Sequence, residues 1–228
     1  MNKRRVFALA FMLWAGLQTL ACAADLPTLI AKAKPAVVTL DTKRSWLKGL
    51  ISGNEDEKYN ARGSGFVVSQ DGLVVTAFHV VSAAKKVYVL STTGQEFEAT
   101  VLYTNPLKDL AVLKLVDVKV PLPYLELSTQ LPREGEEVLA MGNPYLFPFA
   151  STRGIVSAVG VKTKGETGPG FVLTDASVNP GMSGGPLIDS HGQVLALLSQ
   201  IYSTTGSFAG MTFALPAADV KLALESLR

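Results

Sequence analysis

Short apolar runs separated by turn residues dominate the pattern of this chain. They recur at intervals of about ten residues, the spacing of an all-β sandwich or barrel. The first strand is predicted at 36–41. Strands at 65–69 and 73–76 flank Gln70-Asp71-Gly72, where Asp71-Gly72 is a strong hairpin signal. Strands at 87–90 and 97–103 flank Thr93-Gly94, and 110–115 closes the first set. Pro121 and Pro123 mark a linker. A second set follows at 137–141, 151–159, 171–174, 186–188, 194–200 and 208–215. Two sets of about six strands predict an all-β molecule of two six-stranded antiparallel β-barrels, at about 35–118 and 124–215. Two segments break the period. Leu26, Leu29, Ile30 and Ala33 share one face of a short helix at 25–34, which Pro35 ends. Val220, Leu224 and Leu227 share the inner face of a second helix at 217–227. Residues 44–62 are polar and charged and read as a long solvated loop.

Composition adds two points. Apolar residues make up 48% of 228, enough for a sizeable core without disulfides. The formal charge of +2 arises in the leader, where Lys3, Arg4 and Arg5 lie; the rest of the chain is close to −1. That balance carries no electrostatic footprint for nucleic acid. The same three bases precede an apolar run from Val6 to about Gly16 and then Ala21-Cys22-Ala23. A basic head, a short apolar stretch and a small-residue site form a secretory signal peptide over residues 1–24, cut after Ala23 or Ala24. The expected location is therefore the periplasm or the exterior, with no stable membrane insertion after cleavage. An uncleaved leader, or a lipid on Cys22, would instead anchor the chain.

The chemistry centres on Asn179-Pro180-Gly181-Met182-Ser183-Gly184-Gly185-Pro186. A serine hydroxyl needs a base to take its proton and N–H donors for the oxyanion that forms. A tight Gly-x-Ser turn offers the N–H groups of Gly181 and Ser183 to one hollow. The same residues satisfy G-x-S-x-G, but that hydrolase elbow requires an acid and then a histidine after the serine. Only His191 follows, inside a surface turn. Upstream stand His79, after the apolar run 73–75, and Asp109, after Asn105-Pro106. The order His, Asp, Ser is one of the known convergent triad orders. Alone, His79 reads as a packed core histidine, Asp109 as a turn-capping acid and Ser183 as part of a glycine-rich turn.

Together these segments resemble the trypsin-like serine proteases, most closely the bacterial HtrA/Deg branch. Thr76-Ala77-Phe78-His79-Val80-Val81 resembles the histidine motif, Asp109-Leu110-Ala111-Val112-Leu113 the aspartate motif, and Thr174-Asp175-Ala176 with 179–187 the serine motif. Pro35-Ala36-Val37-Val38, Gly63-Ser64-Gly65-Phe66 and Gly154-Ile155-Val156-Ser157 agree as well. The resemblance implies a chymotrypsin-like pair of barrels over 25–228, without the peptide-binding PDZ domain of many relatives. It implies a serine endopeptidase acting on unfolded or exposed polypeptide segments. His79 would be base and then acid, Asp109 its orienting carboxylate, Ser183 the nucleophile, and Gly181 with Ser183 the oxyanion hole. Ser64 would belong to a structural Gly-Ser-Gly, and Asp175 would support the active loop. No cofactor and no metal are expected. Such relatives are often trimers built through N-terminal residues, a role for which 25–34 is the candidate.

The substrate pocket of this family has its base six residues before the nucleophile, here Ser177. Without an acid there, cleavage after small or medium aliphatic residues is expected rather than after Lys or Arg. Leu197, Leu198, Ser199 and Phe213 are the candidate walls. Three departures stand out. Met182 replaces the usual Asn, Phe78 replaces a frequently polar residue, and 143–148 lacks the usual glycine. The last two bear on regulation and loop geometry more than on chemistry; Met182 and the expected lack of a PDZ domain motivate an alternative from another class, a protease-like binding module or chaperone with poor turnover.

Overall fold

The structure, a computed structural model, describes residues 25–42, 62–82, 84–144, 149–162, 170–201 and 209–227. The leader, nearly all of the 44–62 loop and residues 145–148 lie outside this set. Twelve strands close into two antiparallel barrels. Barrel one holds β1 (Val37–Asp41), β2 (Arg62–Val67), β3 (Leu73–Thr76), β4 (Val87–Ser91), β5 (Glu96–Asn105) and β6 (Leu110–Leu115), in the order β1-β2-β3-β6-β5-β4. Barrel two holds β7 (Glu137–Gly142), β8 (Ala150–Val161), β9 (Phe171–Thr174), β10 (Pro186–Ile188), β11 (Val194–Ile201) and β12 (Thr212–Pro216), in the order β10-β11-β12-β9-β8-β7. Closure leaves neither sheet an open edge. Helix α1 (Leu26–Ala33) precedes them, helix α3 (Ala217–Glu225) follows, and a one-turn helix α2 (Phe78–Val81) follows β3.

The expected architecture is present, and several ends differ. The first strand starts at Val37, because Lys34–Ala36 winds into a 3₁₀ turn that accommodates Pro35. The fifth strand runs longer than 97–103. The last begins at Thr212, while 202–208 lie outside the described residues. The turn α2 went unread because its four residues, Phe-His-Val-Val, look like a continued apolar strand.

Alternation along each strand builds three cores instead of two. Val74, Ala111 and Leu113 fill barrel one, and Val138, Ala140 and Leu198 fill barrel two. The intervening residues point the other way. Val75, Leu110, Val112, Leu139, Met141 and Leu197 meet in a seam between the barrels, joined by Leu29 and Ala33 of α1 and Val220 and Ala223 of α3. The linker stitches the two halves. Leu125 N–H donates to Val67 O at 2.9 Å, and Ser128 N–H to Val194 O at 2.9 Å. At the seam's edge, Lys108 forms an ion pair with the buried Asp219 of α3. The C-terminal helix is thereby tied to the turn that carries Asp109.

Leu197, fully buried in the seam, tests this packing. Leu197→Ala is expected to cost about 2–5 kcal/mol, the range for emptying a packed site. Chemical denaturation measures it; a loss below about 1 kcal/mol would mean the seam is loosely packed.

Candidate active site

Asp109 ends a tight turn. Lys108 N–H donates to Asn105 Oδ1 at 3.1 Å, and Asp109 adopts φ 52°, a left-handed conformation that Asp tolerates better than most residues. This aims its carboxylate, 6% exposed, at the start of α2. Phe78 N–H donates to Asp109 O at 3.0 Å and His79 N–H to Asp109 Oδ1 at 2.9 Å. The His79 ring is then held by Nδ1, at 2.8 Å from Oδ2 and 3.0 Å from Oδ1. A carboxylate only accepts, so Nδ1 carries the proton and Nε2 of the neutral ring keeps a free lone pair. Half of the His79 side chain faces solvent.

A third donor comes from the other barrel. Ser199 Oγ on β11 donates to Asp109 Oδ2 at 2.6 Å and is buried. Burial by itself pushes the Asp109 carboxyl up. The hydrogen bonds from the His79 ring, Ser199 and the His79 backbone, with the positive charge of the His79 ring when it is protonated, outweigh it and hold the group below its ordinary value.

Ser183 sits half-buried on the turn before β10. Ser183 O accepts from Ser64 N–H of β2 at 2.8 Å, which fixes the turn to barrel one. Gly184 has φ +87°, and a Cβ there would collide with Ser64 O and Thr76 Oγ1, so only glycine lets the turn lie this close to the His79 strand. The N–H groups of Gly181 and Ser183 donate no hydrogen bond among the described residues. Nor does a hydrogen bond join Ser183 to His79 there. Catalytic hydrogen bonds are often long without substrate and tighten when it binds.

The remaining candidates fall differently. Leu197 and Leu198 are both inaccessible, one in the seam and one inside barrel two; they belong to the cores and wall no open groove. Ser199 turns its hydroxyl to Asp109 instead of a pocket. Ser177 is half-buried and accepts from Thr152 Oγ1 through its carbonyl at 2.7 Å. Phe213 is partly buried, edge-on to Phe171 at 6.0 Å. Asp175 Oδ1 accepts Ile155 N–H at 2.7 Å, tying β8 to the segment that leads into the serine loop. His191 lies in an exposed turn built on Asp189 Oδ1. Met182 is 1% exposed in the core of barrel two, so the replacement of a polar residue there alters packing and leaves the amides of the loop in place. The sequence reading missed the Ser199–Asp109 and Ser64–loop contacts. Both cross from one barrel to the other, and neither has a local signal.

Two closed barrels with His79 and Asp109 on one and Ser183 on the other describe a chymotrypsin-like peptidase. The trypsin-like peptidase domain matches residues 63–197, and the chain belongs to that family. Among curated relatives it is similar to a probable periplasmic serine endoprotease, DegP-like, of Pseudomonas putida (strain W619), 35% identical over 84% of this chain and 46% of that protein. The counterpart in Marinomonas sp. (strain MWYL1) is 33% identical over 96% and 53%. Among solved structures it resembles the HtrA-type protease AlgW with tripeptide, with TM-score 0.72 and 34% identity over 87% of this chain and 61% of that one. The chain spans about half the length of the curated relatives it matches.

The three donors on Asp109 set a pH signature. A carboxyl held below its unfolded value stabilises the fold above that value, and the contribution is lost as pH falls through the folded one. Ser199→Ala removes a donor and moves the folded value up. Its deficit in melting temperature is expected to be greatest near neutral pH and to shrink only in strong acid, as pH falls through the folded value of Asp109, which lies below the ordinary carboxylate range, and Asp109 becomes protonated in both proteins. A deficit independent of pH would contradict the assignment.

Proposed function

We propose that this chain is a periplasmic serine endopeptidase that cuts unfolded or exposed polypeptide segments through an acyl-enzyme on Ser183. The observation that carries the reading is the His79 Nδ1–Asp109 hydrogen bond at 2.8 Å, set beside two unengaged amides on the serine turn. In this reading Nε2 takes the Ser183 proton as Oγ attacks the peptide carbonyl, and the imidazolium that forms is stabilised by Asp109. The carbonyl oxygen becomes an oxyanion and accepts from Gly181 and Ser183 N–H, donors worth about 10²–10³ each in kcat in such sites. His79 returns the proton to the leaving amine. Water then repeats the sequence on the ester and frees Ser183. Polypeptide is the substrate class that the relatives' names support.

The S1 site would rest on Ser177 and Phe213, with no carboxylate to attract a basic side chain. For assembly we propose the homo-trimer that the family resemblance implies. Helix α1 turns Leu29 and Ala33 into its own chain, so the trimer contact would use the exposed Thr28, Ala31 and Lys32. Met182, packed in the core directly beneath the serine turn, is the observation behind a second reading, a protease-like binder with weak turnover.

One experiment separates them. The chain is expected to label with a fluorophosphonate at Ser183 and to degrade unfolded casein, and Ser183→Ala is expected to lose both. The cleaved products are expected to end in small or medium aliphatic residues rather than Lys or Arg. Binding of casein without labelling or cleavage would select the second reading.

A further inference from the structure

Ser64 stands on β2 of barrel one, 0% exposed and 117 residues before Gly181. Its hydroxyl carries a single proton. Asn143 N–H donates to Oγ at 2.8 Å, which occupies the oxygen as an acceptor and directs that proton outward, to Gly181 O at 2.7 Å. The backbone N–H of the same residue donates to Ser183 O at 2.8 Å. One residue therefore holds the carbonyls on both sides of Met182. Gly181 has φ +98°, outside the range most side chains adopt, so its peptide planes need an external hold to stay in one orientation. Both carbonyls are drawn inward to Ser64, and among the N–H groups of the turn those of Gly181 and Ser183 are the two that donate no hydrogen bond within the described residues.

Ser64 is itself fixed. Its carbonyl accepts Thr76 Oγ1–H at 2.7 Å. A Cβ at Gly142 would lie 2.8 Å from its hydroxyl, so that glycine makes the room for it. Asn143, which supplies the directing N–H, is held through its side-chain amide by Thr39, the residue opposite Ser64 on β1. Fixed dipoles stabilise a developing charge best when they need no rearrangement at the moment of reaction.

We propose that the Ser64 hydroxyl is a positioning residue for the oxyanion hole: by holding the Gly181 carbonyl inward it fixes the Gly181–Met182 peptide plane, the link between the two flanking planes whose N–H groups, of Gly181 and Ser183, face substrate. The proposal rests on the serine endopeptidase reading above. Ser64 touches no reacting atom, so its effect falls on the transition state more than on substrate binding.

The test compares the full chain with Ser64→Ala and with Val89→Ala, a cavity variant inside barrel one remote from the serine turn. Both are expected to melt earlier than the unaltered chain. Ser64→Ala is expected to lose roughly ten- to a hundredfold in kcat on a peptide ester, with KM changed less than about threefold. Its rate of fluorophosphonate labelling falls in parallel. Val89→Ala, assayed below its melting transition, keeps kcat and labelling within about twofold. A Ser64→Ala enzyme with unaltered kcat, or one whose loss matches that of Val89→Ala, would overturn the proposal. A crystal structure of Ser64→Ala reads it without turnover: the Gly181 carbonyl is expected to rotate away from its present place, and an unmoved 181–183 backbone would overturn it. Failure of the unaltered chain to label would sink the endopeptidase reading alone, since that structure still decides what Ser64 does.

Discussion

A carboxylate that belongs to neither barrel alone is the constraint on which this structure turns. Asp109 is carried by barrel one, yet one of its three donors, Ser199, comes from barrel two. Buried charge is costly unless it is hydrogen-bonded, and here the bonds more than offset burial. The two barrels therefore need each other. Separation would strip Asp109 of Ser199, expose the apolar seam and release the serine turn from Ser64. The seam contributes the apolar burial that holds the halves together; the polar contacts that cross it set the register at which they meet.

The same division of labour explains why the site stands at this junction. Each barrel closes on its own side chains and keeps a rigid backbone, and the groups of interest sit on turns at the barrels' rims. His79 leaves β3 on a single helical turn, Asp109 precedes β6, and Ser183 precedes β10. Rigid strands fix where each turn begins. Hydrogen bonds between the turns and their neighbours, His79 to Asp109 within barrel one and Ser64 N–H to Ser183 O between the barrels, fix where it points. In the proposed reaction such preorganisation does the chemistry that flexible loops would do poorly.

Much of this was legible in the residues because the signals were local. Turn pairs such as Asp71-Gly72 and the ten-residue beat of apolar runs give strands and their hairpins, and the order of His79, Asp109 and Ser183 excludes the competing serine-hydrolase elbow. What stayed hidden depends on tertiary contact. The run Leu195-Ala196-Leu197-Leu198 is apolar throughout because all of it is buried, Leu197 in the seam and the other three in the core of barrel two. A sequence pattern cannot tell that from a pocket wall. Ser199, next in line, looks equally suited to a pocket until the fold places Asp109 opposite it. Ser64 reads as a small residue between glycines, and only the fold shows that other glycines, Gly142 and Gly184, let a turn from the other barrel lie against its hydroxyl and backbone.

The measurement that bears most directly on this account is a crystal structure of the chain treated with a peptide boronate. The account predicts a tetrahedral adduct on Ser183 Oγ, with one boron oxygen accepting from the N–H groups of Gly181 and Ser183 and with His79 still bonded through Nδ1 to Asp109. An adduct on any other residue, or a boron oxygen turned to solvent with both amides left empty, would contradict it.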